Sequence, residues 1–255
     1  PDCHKRISTF GLGTQRVEEE LHRMFPMLVE GETMLRVDSD TMHGAKDFHD
    51  ALGRFGSGQL RVLVGTQMIA KGLDYPGVRL VGVINADTSI NLPDFRATER
   101  TFQLVSQVAG RSGRGSERGQ VIVQTFNPGV PSIQLAARHD FERFAQVELA
   151  QRKQGGLPPL SRMTRIVVRD EDHLKCLKNA KAVAERLRTL AGESVRVRGP
   201  APCPIARLAG KHRQQIELLA PTAGVMQKLL AAARSEGAIK AGTAMAIDVD
   251  PIALL

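Results

Sequence analysis

The stretch Gly155-Gly156-Leu157-Pro158-Pro159 constrains this chain more than any other. Two glycines and two prolines within five residues cannot continue a helix. Proline lacks the amide hydrogen and its ring clashes with the preceding turn, while glycine gives up the most backbone entropy. A domain boundary is therefore expected here, separating residues 14–153 from residues 154–255. With 255 residues, 42% of them hydrophobic, the chain is long enough to build two cores.

Before the break, short apolar runs alternate with helical patterns. Strands are predicted over 34–38, 61–65, 78–84 and 120–126, and helices over 14–28, 44–55, 96–110 and 139–153. Thr14 is a candidate N-cap, with Glu18, Glu19 and Glu20 near the positive end of the first helix. Nearly continuous apolar strands spaced by helices predict an α/β domain, with a parallel sheet covered by helices on both faces. In such sheets chemistry gathers where strands end. That points to Asp38-Ser39-Asp40, Gly65-Thr66-Gln67 and Asn85-Ala86-Asp87.

After the break the predicted order is strand 162–169, helix 171–190, strand 194–198, strand 213–220, helix 222–235 and strand 245–250. This βαββαβ order is the ferredoxin-like arrangement of a smaller α+β domain. The arrangement hosts many activities and does not select one.

The chain carries 35 Lys and Arg against 27 Asp and Glu, a net charge of +8. Such a surplus suits a polyanionic partner, since neutralising phosphates releases counterions; a basic but ordinary soluble enzyme is the alternative. Arg196, Arg198, Arg207, Lys211, His212 and Arg213 form a cationic stretch around Gly199-Pro200, which could equally be a solvated face. The nine Phe, one Tyr and no Trp make base stacking an unobvious binding mode. Only Cys3, Cys176 and Cys203 are present, widely scattered, which argues against a disulfide framework and for a reducing cytoplasm. No run approaches the ~18 apolar residues of a membrane helix, so no membrane association is expected. The seven histidines do not cluster. Asp38, Asp40 and His43 could be imagined as a metal site, but acidic residues after a strand are usually turn formers.

The most specific string is Gln107-Val108-Ala109-Gly110-Arg111-Ser112-Gly113-Arg114. Two arginines at this spacing can enter one cleft, and each guanidinium forks onto phosphate oxygens while remaining charged. They can therefore stabilise charge developing on a departing γ-phosphoryl group. A generic Arg-Ser-Gly-Arg would more often be a solvated loop; the full Gln-x-x-Gly-Arg-x-x-Arg pattern after several β/α units reverses that preference. A second string runs from Val64 through Gly65-Thr66-Gln67-Met68-Ile69-Ala70-Lys71-Gly72-Leu73-Asp74-Tyr75-Pro76. Its amides, hydroxyl and lysine can meet phosphate, and Asp74 could orient an arginine or a ribose hydroxyl. An ordinary strand-to-helix turn, with Gly65 required sterically, is the plain alternative.

Together these strings resemble the second RecA-like lobe of superfamily 2 helicases, and more narrowly the PriA family of replication-restart helicases. Asn85-Ala86-Asp87, Leu92-Pro93-Asp94-Phe95-Arg96-Ala97-Thr98-Glu99-Arg100-Thr101-Phe102-Gln103-Leu104, Leu157-Pro158-Pro159, Gly199-Pro200-Ala201-Pro202 and Ile247-Asp248-Val249-Asp250-Pro251 extend the resemblance over essentially the whole chain. There are two departures: Leu73 stands where the family usually has histidine, and Tyr75 where Phe is more usual. The resemblance implies nucleotide-facing arginines at Arg111 and Arg114, positioned by Gln107. It implies nucleotide-side roles for Gly65, Asp74 and Gly110, and DNA contacts from Thr66, Gln67 and Lys71. Arg96, with Phe95, would lie near DNA or the surface between lobes; core packing of Phe95 and an ion pair of Arg96 with Asp94 or Glu99 are the alternatives. Arg207, Lys211 and Arg213 are the candidate DNA contacts of the second domain.

The resemblance further implies DNA partners, both branched forks and single strands, along with primosome proteins and single-stranded DNA-binding protein. It places the chain in the bacterial cytoplasm at the nucleoid. It also makes residues 1–13 the remnant of a zinc-binding region, with Cys3 the last cysteine of its last pair and the other ligands outside this chain. The opening on Pro1 rather than Met fits a piece of something longer. Neither the phosphate-cradling Gly-x-x-x-x-Gly-Lys-[Ser/Thr] loop nor an Asp-Glu-x-His segment occurs in the sequence. ATP with Mg2+ is therefore expected to bind mainly on a first lobe, and this chain by itself is expected neither to hydrolyse ATP nor to unwind DNA. The other expectation is a non-catalytic DNA-binding and scaffolding protein of the same family. An RNA helicase is disfavoured by the strings outside the shared motifs.

Overall fold

The computed structural model describes residues 13–38, 40–42, 44–66, 69, 77–109 and 119–254. The fold divides into two units, one of Pro1–Asn91 with Thr98–Phe144, the other of Leu92–Ala97 with Ala145–Leu255.

In the first unit, α1 (Thr14–Met24) leads to β1 (Met34–Val37), α2 (Ala45–Gly56) and β2 (Val62–Gly65). The first helix ends four residues earlier than its pattern suggests, because Pro26 pushes Phe25 out of the helical region. Gly13, not Thr14, is the N-cap; Thr14 is already helical and turns its hydroxyl to Asp38. β1 and β2 pair in parallel, Met34 with Val62 through Val37 with Gly65. Their apolar residues Met34, Val62 and Val64 pack with Val17 and Leu21 of α1 and with Leu28.

A second parallel pair joins β3 (Leu80–Val83) to β4 (Gln120–Val123), in register from Leu80 with Gln120. Between them in sequence lie a short α3 (Asp87–Ile90) and α4 (Ala97–Ala109). α5 (Pro131–Ala137) follows, with proline at its first turn where no amide hydrogen is needed. α6 (Phe141–Gly155) is next and crosses from the first unit into the second. Phe102, Val105, Leu135, Ala136 and Phe144 form the core beside Val123, with the Phe102 and Phe144 rings stacked at 4.1 Å. The expected parallel strands are thus present, as two pairs not hydrogen-bonded to one another among the described residues.

The second unit realises the βαββαβ order: β5 (Arg162–Asp170), α7 (His173–Ala191), β6 (Arg196–Leu208), β7 (Lys211–Ala220), α8 (Ala223–Ser235) and β8 (Met245–Val249). Its strands lie in the order β6-β7-β5-β8, every neighbouring pair antiparallel. Ile166, Val168, Ile216, Leu218 and Ala220 alternate onto the face that the helices cover. Ala180, Ala184 and Leu187 of α7 and Met226, Leu229 and Leu230 of α8 complete that core. Both helices carry side-chain caps: Asp172 accepts from the Lys175 amide at 2.7 Å, and Thr222 from the Val225 amide at 3.3 Å.

β6 is far longer than the predicted 194–198. Gly199, Pro200, Pro202 and Pro204 fall within it, and among the described residues β6 is an edge strand bonded to β7 alone, where prolines are tolerated in a sheet. Its pairing shifts between Arg198 and Ala201 and again between Pro202 and Arg207.

Candidate nucleotide and DNA site

Two of the candidate strings follow the carboxyl ends of parallel strands, Gly65-Thr66 at β2 and Asn85-Ala86-Asp87 after β3, whereas the arginine string begins at Gln107 in α4. Gly65 closes β2 opposite Val37, and a Cβ built there would overlap the Val37 carbonyl oxygen and the Ile69 side chain. Only glycine fits, which is the steric requirement the sequence raised as an alternative to a ligand contact. Thr66 follows it and is exposed. Gln67, Lys71 and Asp74 lie outside the described residues, as do Gly110, Arg111, Arg114, His43 and Cys3. Gln107 is described: half-buried in the last turn of α4, it stands four residues before Arg111 along the chain.

Two aspartates at strand ends are buried hydrogen-bond hubs. Asp38, after β1, accepts the amides of Asp40 and Thr41 on Oδ1, each at 3.0 Å, and the Thr14 hydroxyl on Oδ2 at 2.5 Å. The Thr14 bond leads the backbone bonds in holding its carboxyl below the ordinary carboxylate range, against the opposing effect of burial. Arg36 approaches the same carboxylate at 3.6 Å and Glu18 at 3.4 Å. Burial, together with Glu30, pushes the Glu18 carboxyl upward. Asp87, after β3, accepts from the Phe126 amide at 2.9 Å, the Thr125 hydroxyl at 3.0 Å and Asn127 at 3.3 Å. The Phe126 bond is the largest influence lowering its pKa. Asp38 and Asp87 thus fix the loops where strands end, a turn-forming role rather than that of a free acid or base.

The second unit contains the remaining candidates. Arg207 pairs with His212, and Lys211 with Leu208, across a two-residue turn. Ala209 and Gly210 both have positive φ there, 48° and 79°, the mirror-image geometry that matches the twist of a hairpin. Arg207 is exposed and Lys211 half-exposed near the tip. Arg213 is not at the surface: it is 9% exposed, and its Nη1 donates to the Ile205 carbonyl at 3.3 Å. Arg196 and Arg198 likewise have structural partners, donating to the Gly155 carbonyl at 3.3 and 2.7 Å. Gly155 ends α6, where orphan carbonyls and the helix dipole favour cations.

Arg96 lies with its guanidinium 4.1 Å from the Phe95 ring centroid, and its Nη1 donates to the Ile252 carbonyl at 3.5 Å. Phe95 packs with Leu157, Met163, Leu219 and Leu254, so its core-packing alternative holds. Asp94 accepts the backbone amide of Arg96 at 3.0 Å. The sequence reading overlooked the buried Arg152–Glu148 pair at 2.8 Å, although Glu and Arg four apart on a helix is a recognisable signal. Asp87 offered no such local signal, since its partners lie 38 to 40 residues away.

Among the described residues no three His, Cys, Asp or Glu side chains converge on a metal-sized site. Cys176 and Cys203 are buried free thiols; Cys176 donates to the Val168 and His212 carbonyls, and burial raises its pKa. Both act as core residues and neither fits a zinc site. No described helix is long and apolar enough to cross a membrane.

Comparison with known proteins supplies the frame for these residues. Residues 4–116 match the Helicase conserved C-terminal domain, and residues 153–252 match the Primosomal protein N C-terminal domain. The replication restart protein PriA of Bacillus subtilis (strain 168) is 43% identical over 216 residues, covering 84% of this chain and 26% of that protein. That of Treponema pallidum is 40% identical over 256 residues, covering 100% of this chain and 38% of that protein. The Synechocystis protein is 36% identical over 255 residues, covering 100% of the chain and 30% of its own length. This chain thus spans between about a quarter and two fifths of these relatives. With a helicase C-terminal domain followed by the domain particular to primosomal proteins, the chain belongs to the PriA family of replication restart proteins.

Proposed function

We propose that this chain forms the second motor lobe and C-terminal domain of an ATP-driven, 3′-to-5′ DNA helicase that recognises stalled or branched forks and initiates primosome assembly. The observation carrying this reading is Gln107-Val108-Ala109-Gly110-Arg111-Ser112-Gly113-Arg114, continuing directly from α4 in a chain of the PriA family. ATP with Mg2+ is the substrate, held mainly by a first lobe, since no phosphate-cradling loop occurs in these 255 residues. Arg111 and Arg114 neutralise charge on the γ-phosphoryl group as lobes close, Gln107 positions them, and Gly110 lets the backbone turn. Gly65 and Asp74 serve the nucleotide side, while Thr66, Gln67 and Lys71 grip the DNA backbone. Alternating grip by the two lobes moves one strand. On this reading the chain alone neither hydrolyses ATP nor unwinds DNA.

The remaining assignments rest on family membership. Primosome proteins and single-stranded DNA-binding protein are the protein partners, and the bacterial cytoplasm at the nucleoid is the location. Zn2+ belongs to a region to which Cys3 contributes one of four ligands, so these residues alone do not hold it. The test is DNA-stimulated ATPase activity of a protein carrying both lobes. Arg111→Ala and Arg114→Ala should each lower turnover by about 10³-fold or more. Near wild-type turnover in both would overturn the assignment. It would leave the second reading, a scaffold that binds DNA without catalysis, favoured by the cationic hairpin tip of Arg207 and Lys211.

A further inference from the structure

The β6–β7 hairpin of the second unit turns on three residues without a polar side chain, Leu208, Ala209 and Gly210. Leu208 is 55% exposed, and Ile205, further down the same strand, 46%. Ala209 has φ of +48°, a left-handed conformation that a residue with a Cβ enters at a cost. Asn or Asp ordinarily fills the first place of such a turn, because its polar side chain eases that conformation and suits water. Alanine does neither. A strained and wholly apolar tip in solvent is an outlier, and outliers of this kind point to a use other than the fold.

The tip stands on a basic, anchored stalk. Between Glu193 and Glu217 the chain has no acidic residue. Arg207 and Lys211 flank the turn, Arg207 paired with His212 and Leu208 with Lys211. At the root, the His212 carbonyl accepts the Cys176 thiol of α7 at 3.4 Å, and the His212 ring meets that of His173 edge-on at 5.1 Å. Arg213 ties the two strands again through the Ile205 carbonyl at 3.3 Å. Every one of these contacts lies within the second unit.

We propose that Leu208 is a wedge that enters the base stack of DNA at a branch point, while Arg207 and Lys211 hold the phosphates beside it. Ala209 and Gly210, with little or no side chain, let the backbone come close. The wedge presupposes the fork binding proposed above and is independent of Arg111 and Arg114. Leucine is among the apolar side chains that proteins insert between base steps, and insertion costs the stacking of that step. In continuous duplex the whole of that cost is met. At a branch the stack is already interrupted, so the same insertion costs less. The cations add affinity that fork and duplex share, and the wedge adds the difference between them.

The experiment uses this chain with a fork carrying 2-aminopurine at the branch, and with a linear duplex of the same length. Wild type should raise the 2-aminopurine fluorescence as the base unstacks, and should bind the fork about tenfold more tightly than the duplex. Leu208→Ala changes an exposed side chain and so should fold. It should abolish the rise in fluorescence and cut the preference to about twofold, with duplex affinity and salt slope as in wild type. Leu208→Met keeps an apolar wedge and should retain both signals. Ala209→Asn should raise the melting temperature by easing the turn, yet weaken fork binding by about threefold, signs that a purely structural role would not oppose. Fluorescence and preference unchanged in Leu208→Ala, with Arg207→Ala and Lys211→Ala still weakening binding, overturn the wedge and leave the hairpin a phosphate contact. Equal binding of fork and duplex by wild type removes fork recognition from this chain, and the wedge with it.

Discussion

Asp38 illustrates how a residue at a catalytic address can serve the fold. Its carboxylate accepts two backbone amides and the Thr14 hydroxyl, all donors that favour the ionised form. Its folded pKa is accordingly lower than its unfolded one, chiefly because of the Thr14 bond. A depressed carboxyl stabilises the fold fully above the unfolded value, about 3.9, and loses that contribution as pH falls through the folded value. Asp38→Asn keeps the backbone acceptor but turns a neutral amide toward Thr14. At neutral pH it should lower the melting temperature of the first unit by several degrees. The gap to wild type should then close as the pH is taken below about 4. A gap that stays constant with pH, in thermal melts followed by circular dichroism, would mean the ionised form contributes nothing.

At the level of elements, the edge strand β6 tests how far a backbone can be bent to keep pairing. Gly199 has φ of +90°, and a Cβ there would stand 2.7 Å from the Gln215 carbonyl oxygen on β7. Gly199→Ala therefore meets both a left-handed backbone and a clash with an atom that cannot rotate away. A cost of about 1–3 kcal/mol is expected from strain of this kind, read as a lower urea midpoint with unchanged slope. An unchanged midpoint would show that the strand relaxes at no cost. This strand also marks the limit of what was legible in the sequence. The order of elements in the second unit followed from periodicity, and α7, α8, β5 and β7 fell within a few residues of their predicted bounds; in the first unit the short helices α3 and α5 were missed, being too brief to show a helical period. β6 extends ten residues past its predicted end, through Pro200, Pro202 and Pro204, because its prolines lie on an edge strand with shifted pairing. Core packing of Phe95 was foreseen as an alternative, but not its partners, since the Met163, Leu219 and Leu254 cluster it packs against lies more than sixty residues away. The expectation for Arg111 and Arg114 comes from their string and the resemblance it carries, and both lie outside the described residues, whereas hubs such as Asp87 depend on contacts across some forty residues.

For the whole molecule, the net charge of +8 must be divided between cations that hold the fold and cations that remain for a polyanion. Arg196 and Arg198 are engaged on the end of α6, Arg213 on the Ile205 carbonyl, and Arg162 on Asp250. A count of basic residues therefore overstates the binding surface. Arg207 and Lys211 differ, since they stand at the tip of the β6–β7 hairpin, where a phosphate backbone can reach them without unfolding anything. If these two contact phosphates, each releases about one counterion, and the logarithm of affinity falls with the logarithm of salt accordingly. Arg207→Ala and Lys211→Ala should each weaken binding of this chain to forked DNA uniformly across sequences. Each should also reduce the salt slope by about 1. Arg213→Ala should instead leave the slope unchanged and lower stability, because it breaks a buried contact to the backbone. Fluorescence anisotropy from 50 to 200 mM salt separates the two classes. A slope indifferent to Arg207 and Lys211 would move the DNA contact off the hairpin and onto the cations of the first unit.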